Sequence, residues 1–176
     1  MIYYLKDILS NTDEEEQQLW KSDIFDLLVT YSTVIHKRYI AQLLHEPKND
    51  CAFYCFDFDF SLENCPSTII YQKKEYETEI IYYILLVYTS RRFRKLGYAT
   101  ALLNEFVDNI KSEYNGSVVN SKPVRIVLSS LESSATFYEE YGFVWTRESI
   151  KDYDVLLEFE KFNPDYQYII MSYTIQ

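Results

Sequence analysis

After its first residue, the segment Glu79 to Tyr88 (Glu-Ile-Ile-Tyr-Tyr-Ile-Leu-Leu-Val-Tyr) is wholly apolar or aromatic. No other feature restricts the fold as strongly. The run is too short to span a bilayer as a helix and too apolar to lie on a surface. It reads as a central strand buried on both faces, so other elements must pack above and below it. The next residues along the chain restrict the fold further. Positions 91 to 95 hold four of the chain's 17 basic residues. Gly97 then opens the clearest helix of the sequence, which runs to Tyr114. Tyr98, Leu102 and Phe106 fall along one line of it, and Ala99, Leu103, Val107 and Ile110 along the next. Asn115-Gly116 closes it, with the glycine as C-cap.

The rest of the chain supplies partners for this strand and helix. An initial strand leads into a helix whose start is marked by Thr12 and Glu15, a capping-box pair, with acids at 13 to 16. Trp20, Ile24, Leu27, Leu28 and Tyr31 continue it with helical spacing. A break around Ser32 to Val34 precedes a second short helix, His36 to His45, ending near Pro47. From Cys51 to Phe60 the period changes to two: Phe56, Phe58 and Phe60 share one face, Asp57 and Asp59 the other. That is a half-exposed strand. Ser67 to Gln72 is the next strand, and Lys73 to Thr78 an exposed charged connection. Further strands are expected at Val124 to Leu128, Phe143 to Arg147 and Tyr166 to Thr174. A helix from Ser133 to Tyr141 is stopped by Gly142, and an acidic stretch around Lys151 to Lys161 splits the last two strands. Strands and helices alternate unevenly, so the class is mixed α/β (α+β) with antiparallel hairpins. At 176 residues the chain suits a single domain, 1–176.

Charge and cysteine content bound the partners. With 27 acidic and 17 basic residues the formal net charge is -10, which disfavours nucleic acid and anionic membranes and favours a cationic partner. Cys51, Cys55 and Cys65 are odd in number and clustered, and His36 and His45 lie on another element. Buried or idle thiols are therefore expected, with neither a disulfide framework nor a metal site. The first residues lack a basic stretch ahead of an apolar core, so they do not read as a signal peptide. The expected setting is intracellular, the cytoplasm first and the nucleus as an alternative.

A strand, a basic turn, a glycine and a helix N-terminus in succession describe an anion site. Backbone N–H groups at a helix start point outward, and the helix dipole favours negative charge there. Gly97 lets the backbone approach a ligand, and Ala99, one step into the helix, keeps that approach open. A diphosphate is the natural guest. The patterns GxxxxGK[ST] and GxGxxG are absent, which argues against a nucleotidase or a dinucleotide enzyme.

The stretch from Val87 to Leu103 (Val-Tyr-Thr-Ser-Arg-Arg-Phe-Arg-Lys-Leu-Gly-Tyr-Ala-Thr-Ala-Leu-Leu) resembles the acetyl-CoA-binding segment of the GNAT N-acetyltransferases. In that family [RQ]-x-x-G-x-[GA] lies between a strand and a long helix, and Arg94, Gly97 and Ala99 match it. Downstream, Val124 to Leu128 followed by Ala135 to Phe143 (Ala-Thr-Phe-Tyr-Glu-Glu-Tyr-Gly-Phe) resembles the family's strand and its A-x-x-[FL]-Y-x-x-x-G-F motif, with one residue fewer between Ala135 and Phe137. Together the two matches span about residues 80–147, the expected cofactor-binding core; residues before 75 match by element order only.

The resemblance implies a mostly antiparallel, splayed central sheet flanked by helices, and acetyl-CoA as acetyl donor. Its pyrophosphate would rest on the amides of Arg94, Lys95, Leu96, Gly97, Tyr98, Ala99 and Thr100. Its pantetheine arm would pair strand-like with Val87, Tyr88 and Thr89. Tyr138 occupies the family's usual proton-donor position. The implied activity is direct transfer to a primary amine, a protein lysine or N-terminus ahead of a polyamine or other small amine, by a monomer or a homodimer. The chain also departs from the pattern. Glu132 stands where an asparagine often contacts the pantetheine arm, leaving Ser133 or Ser134 as a replacement. Arg91 replaces a common loop proline. Tyr83 stands where histone-directed members carry a glutamate base, with Glu77 and Glu79 further upstream. The missing carboxylate keeps a second reading in view, an acyl-CoA-binding module without turnover.

Overall fold

The structure is a computed structural model that describes residues 1–31, 35–56, 60–115, 122–159 and 167–175. Its elements are β1 (Ile2–Tyr4), α1 (Leu5–Leu9), α2 (Glu14–Tyr31), α3 (Lys37–His45), β2 (Asn49–Tyr54), β3 (Ser67–Glu75) and β4 (Ile80–Thr89), then α4 (Tyr98–Asn115), β5 (Val124–Leu131), α5 (Glu132–Tyr141), β6 (Val144–Trp145), α6 (Asp154–Phe159) and β7 (Tyr168–Ile175). The strands form one sheet in the order β1-β2-β3-β4-β5-β7-β6. The chain divides into two compact units: residues 1–71 with 86–106, and residues 72–85 with 107–176.

In the first unit β1 runs antiparallel to β2, pairing Ile2 with Tyr54 and Tyr4 with Ala52. The expected cap of α2 moves by one residue. Asp13, not Thr12, accepts the Glu16 N–H at 2.9 Å, while the Thr12 hydroxyl donates back to the Leu9 carbonyl. A carboxylate at the N-cap answers both an orphan donor and the helix dipole. His36 caps α3 by accepting the Arg38 N–H on Nδ1 at 3.2 Å, and Ile40, Leu43 and Leu44 bury the helix's apolar stripe. Asp50 is buried and satisfied three ways, accepting from the Lys6 and Cys51 amides and the Tyr71 hydroxyl. Burial nevertheless raises its pKa above the usual carboxylate range.

In the second unit β5 lies parallel to β4 and antiparallel to β7. The β4–β5 register runs from Ile80↔Val124 to Ile84↔Leu128, and the β5–β7 register from Val124↔Ile175 to Leu131↔Tyr168. A parallel pair cannot be joined by a tight turn, so the chain crosses over through α4. The strand expected to be central is central: Ile80 to Leu86 and Tyr88 are all 9% exposed or less. On α4 the two apolar lines are buried at Leu102, Leu103, Phe106, Val107 and Ile110, and half-buried at Tyr98 and Ala99.

Several expectations are corrected. The strand expected over Cys51 to Phe60 is β2, which stops at Tyr54; residues 57–59 lie outside the described residues, as does the Gly116 cap. Two of the three cysteines are not thiols: Cys55 and Cys65 form a disulfide, and Cys51 alone is free and buried. Separation along the sequence says little about which sulfurs meet, since that is set by how the chain returns to β3. The acidic stretch contains a short helix, α6, whose Val155, Leu156 and Phe159 are buried. β3 and β5 each run three residues further than expected, to Glu75 and Leu131.

Candidate functional site

The basic turn is built as a brace between β4 and α4. The Ser90 N–H donates to the Pro66 carbonyl at 2.9 Å, where β4 ends. A 3-10 turn over Arg91–Phe93 comes next, closed by the Phe93 N–H on the Ser90 carbonyl at 2.8 Å. Arg94 turns its side chain back, and Nε donates to the Thr89 carbonyl at 3.1 Å. Its own amide is engaged with the Arg91 carbonyl at 3.4 Å, so the Arg94 amide expected to meet a pyrophosphate is already taken.

Lys95 and Gly97 both take left-handed backbone, with φ of 63° and 84°. A Cβ on Gly97 would meet nothing within 4 Å, so the glycine is required by its dihedral and not by crowding. The first backbone bond of α4 is Ala101 N–H to the Gly97 carbonyl at 2.9 Å. The amides of Tyr98, Ala99 and Thr100 are therefore first-turn donors with no intrahelical acceptor. The first turn of α4 holds no acidic residue, and Arg91, Arg92, Arg94, Lys95 and Leu96 are exposed. In chemical terms this is a positively biased set of backbone donors, suited to a phosphate-bearing ligand.

The segment Val87 to Thr89 is held from the β3 side. Ser67 Oγ donates to the Tyr88 carbonyl at 2.9 Å and lies 2.9 Å from Thr89 Oγ1. From the other flank, the turn rests on residues between Cys55 and Cys65. The Phe56 ring lies 5.2 Å from Phe93 and 5.1 Å from Tyr98, and Arg92 Nη2 donates to the Glu63 carbonyl at 3.0 Å. Sequence reasoning missed this support. A phenylalanine set among four basic residues was the available signal, since an aromatic in a solvated turn needs a surface to cover.

Tyr138 and Ser133 belong to the second unit, on α5. Ser133 is exposed. Tyr138 is half-buried, its ring edge-on to Phe137 at 5.0 Å and Phe143 at 5.5 Å. Withdrawal from water pushes its phenol above the ordinary tyrosine range. The helix closes behind it in a Schellman arrangement. The Phe143 N–H donates to the Tyr138 carbonyl at 2.9 Å and the Gly142 N–H to the Glu139 carbonyl at 3.0 Å. Gly142 sits at φ 116°, and a Cβ there would meet the Tyr173 ring at 3.3 Å, so dihedral and space both call for glycine.

The residues near the expected base position are already paired within the second unit. Glu79 takes Arg125 in a bidentate pair, Nε to Oε2 at 2.7 Å and Nη2 to Oε1 at 3.0 Å. Tyr83 is 1% exposed, and its hydroxyl lies 2.8 Å from that of Tyr76. The Tyr76 hydroxyl in turn donates to Asp154 Oδ1 at 2.6 Å. Burial works to raise the Asp154 pKa, but the ammonium of Lys74 and the Tyr76 hydroxyl outweigh it and hold the carboxyl below its usual range. Among the described residues no cluster of three His, Cys, Asp or Glu could hold a metal, and no helix is long and apolar enough to cross a membrane.

No protein-family model and no curated protein sequence matches the chain. Solved structures do. The crystal structure of Tetrahymena GCN5 aligns over 100% of this chain and 96% of its own, with a TM-score of 0.66 and 12% identity. An aminoglycoside 6'-N-acetyltransferase complexed with coenzyme A aligns over 100% and 97%, with 0.59 and 13%. Arabidopsis thaliana Naa50, in complex with a bisubstrate analogue, aligns over 98% and 97%, with 0.54 and 17%. The chain has the GNAT-like fold, a mixed α/β architecture with a mostly antiparallel central sheet flanked by helices.

Proposed function

We propose that this chain is a single-domain, acetyl-CoA-dependent N-acetyltransferase acting directly on a primary amine. The observation that carries the reading is the junction between β4 and α4, where left-handed Lys95 and Gly97 lead into a helix whose first turn holds no acid. The amides of Lys95, Leu96, Gly97, Tyr98, Ala99 and Thr100 would seat the pyrophosphate, with the exposed Arg94 side chain in place of its engaged amide. Val87, Tyr88 and Thr89 would seat the pantetheine arm, with Ser133 as a further contact. The cofactor supplies an activated thioester. A backbone N–H near Val87 to Thr89 would act as oxyanion donor to its carbonyl.

The acceptor must be neutral when it attacks, and a lysine amine with a pKa of ~10.4 is mostly protonated near pH 7. Glu79 is committed to Arg125 and Tyr83 is buried, so neither is assigned as base. The amine then arrives neutral or loses its proton through water. As the amine nitrogen bonds to the carbonyl carbon and the carbon–sulfur bond breaks, Tyr138 would give the departing thiolate its proton and recover one, through water, from the nitrogen as it becomes an amide. Its raised pKa keeps the phenol protonated for that task. No cysteine intermediate is needed. The net charge of -10 favours a cationic acceptor, a protein lysine or N-terminal amine ahead of a polyamine. The lack of a carboxylate at Tyr83 favours the second reading, an acyl-CoA-binding module without turnover.

Thermal-shift titration with acetyl-CoA, with free CoA and ATP as controls, tests the cradle. At 100 times its Kd a ligand adds ~2.7 kcal/mol, a rise of roughly 5–11 °C for a domain of this size. A rise with acetyl-CoA and CoA but not with ATP is expected. No rise at millimolar acetyl-CoA rejects the reading.

A further inference from the structure

The Cys55–Cys65 disulfide closes a segment whose described residues support the basic turn. Phe56, next to the first sulfur, packs its ring on Phe93 and Tyr98 at 5.2 and 5.1 Å. Glu63 offers its carbonyl to Arg92 at 3.0 Å. Pro66, next to the second sulfur, takes the Ser90 N–H at 2.9 Å. The segment is drawn together internally as well, by the Phe56 N–H on the Asn64 carbonyl at 3.1 Å. Thus the residues immediately beyond each sulfur, Phe56 and Pro66, touch the start of the turn and the start of α4.

We propose that this disulfide is a redox-controlled brace of the cofactor cradle: closed, it holds residues 90–98 in the binding conformation; opened by a dithiol, it releases them and acetyl-CoA affinity falls. The inference rests on reading those residues as an acetyl-CoA site. The exchange is balanced in atoms and electrons. A thiolate of the dithiol attacks one cysteine sulfur, the S–S bond breaks, and a mixed disulfide forms. The dithiol's second thiol displaces the remaining cysteine, leaving two protonated cysteines and a cyclic disulfide.

Two features give the exchange its character. Cys55 is 1% and Cys65 3% exposed, so attack requires the segment to open first. Cys51 does not offer an internal shortcut, because burial pushes its thiol far above the ordinary range and suppresses the thiolate. Linkage then works in both directions. Whatever factor separates the affinities of the closed and open forms, bound acetyl-CoA must disfavour reduction by the same factor. A tenfold factor corresponds to a shift of about 30 mV for this two-electron couple.

Calorimetric titration with acetyl-CoA, whose acylated sulfur is no reductant, reads the affinity. It is run on the oxidised protein, the dithiothreitol-reduced protein, the Cys55→Ser/Cys65→Ser variant and Phe56→Ala. Phe56→Ala keeps the disulfide and removes only a half-exposed ring, so it separates loss of the brace from loss of the fold. Amide hydrogen exchange over Arg92 to Gly97, without ligand, gives a second readout. Expected are a roughly tenfold weaker Kd in the reduced and double-serine forms, recovery on reoxidation, a loss in the same direction for Phe56→Ala, and faster exchange on reduction. Equal affinity and equal exchange in the oxidised and reduced forms overturn the proposal. If no form binds acetyl-CoA, the cofactor reading and the affinity claim fall together, and unchanged exchange would then remove the brace as well.

Discussion

The molecule passes from strand to helix twice in its core motifs, and does so in opposite ways. Between β4 and α4 the chain makes a turn with two left-handed residues, Lys95 and Gly97, and reaches a helix with no acid in its first turn. Between β5 and α5 there is no turn: Leu131 ends the strand and Glu132 begins the helix. There the first turn carries its own carboxylate, Glu132, whose N–H also donates to the Gln167 carbonyl at 3.1 Å. One helix start answers its dipole internally. The other leaves the dipole and first-turn amides to solvent, or to an anion that arrives. The difference separates a junction built for connection from one suited to binding.

Making the first junction resemble the second should give the largest effect. Ala99→Glu places a carboxylate in the first turn of α4, where it suits the helix but opposes a phosphate. Affinity for acetyl-CoA should fall by roughly a hundredfold or more, because juxtaposed like charges cost several kcal/mol. Melting temperature should hold or rise. Unchanged affinity by calorimetry would mean that α4's start is not the anion seat.

Next in size is Tyr138→Phe on α5. The ring packing on Phe137 and Phe143 survives, so the fold should be kept while kcat falls by roughly 10²–10⁴-fold with KM little changed. The pH profile carries a sign. In the proposed mechanism Tyr138 is the acid, and burial raises its pKa, so its protonated form persists through pH 10 and is lost only above that. The rate should therefore climb with pH as the acceptor amine becomes neutral, with no falling limb below pH 10. A falling limb near pH 9 that disappears in Tyr138→Phe would contradict the raised phenol.

The smallest effect compares the two glycines. Gly97→Ala and Gly142→Ala each force a Cβ into left-handed backbone, costing ~1–2 kcal/mol. Only Gly142 also meets a neighbour, the Tyr173 ring at 3.3 Å, while Gly97 faces open space. Denaturant unfolding should find Gly142→Ala the more destabilising of the two. The reverse order would mean that the Gly97 turn is more confined than its surroundings show.

Local chemistry determined a good deal of this protein in advance. A run as apolar as Ile80 to Tyr88 has nowhere to go but the centre of a sheet. Helical spacing from Tyr98 to Ile110 marks a helix, and a glycine after Tyr138 to Tyr141 marks the end of the next one. These signals lie within a few residues of one another, so neighbouring side chains and dihedral preferences suffice to read them. The strand-to-helix junction was legible for the same reason. What held that junction was not, because its partners come from distant positions. Phe56 and Glu63 reach it only after the chain has formed β2 and returned to β3. The pairing of Cys55 with Cys65, the Glu79–Arg125 pair and the Tyr83–Tyr76–Asp154 chain of hydrogen bonds likewise depend on which strands become neighbours. Short-range periodicity decides what each segment is. Only tertiary packing decides which polar and sulfur atoms meet, because a hydrogen bond or a disulfide needs its partners within a few ångströms, and spacing along the chain does not set that distance.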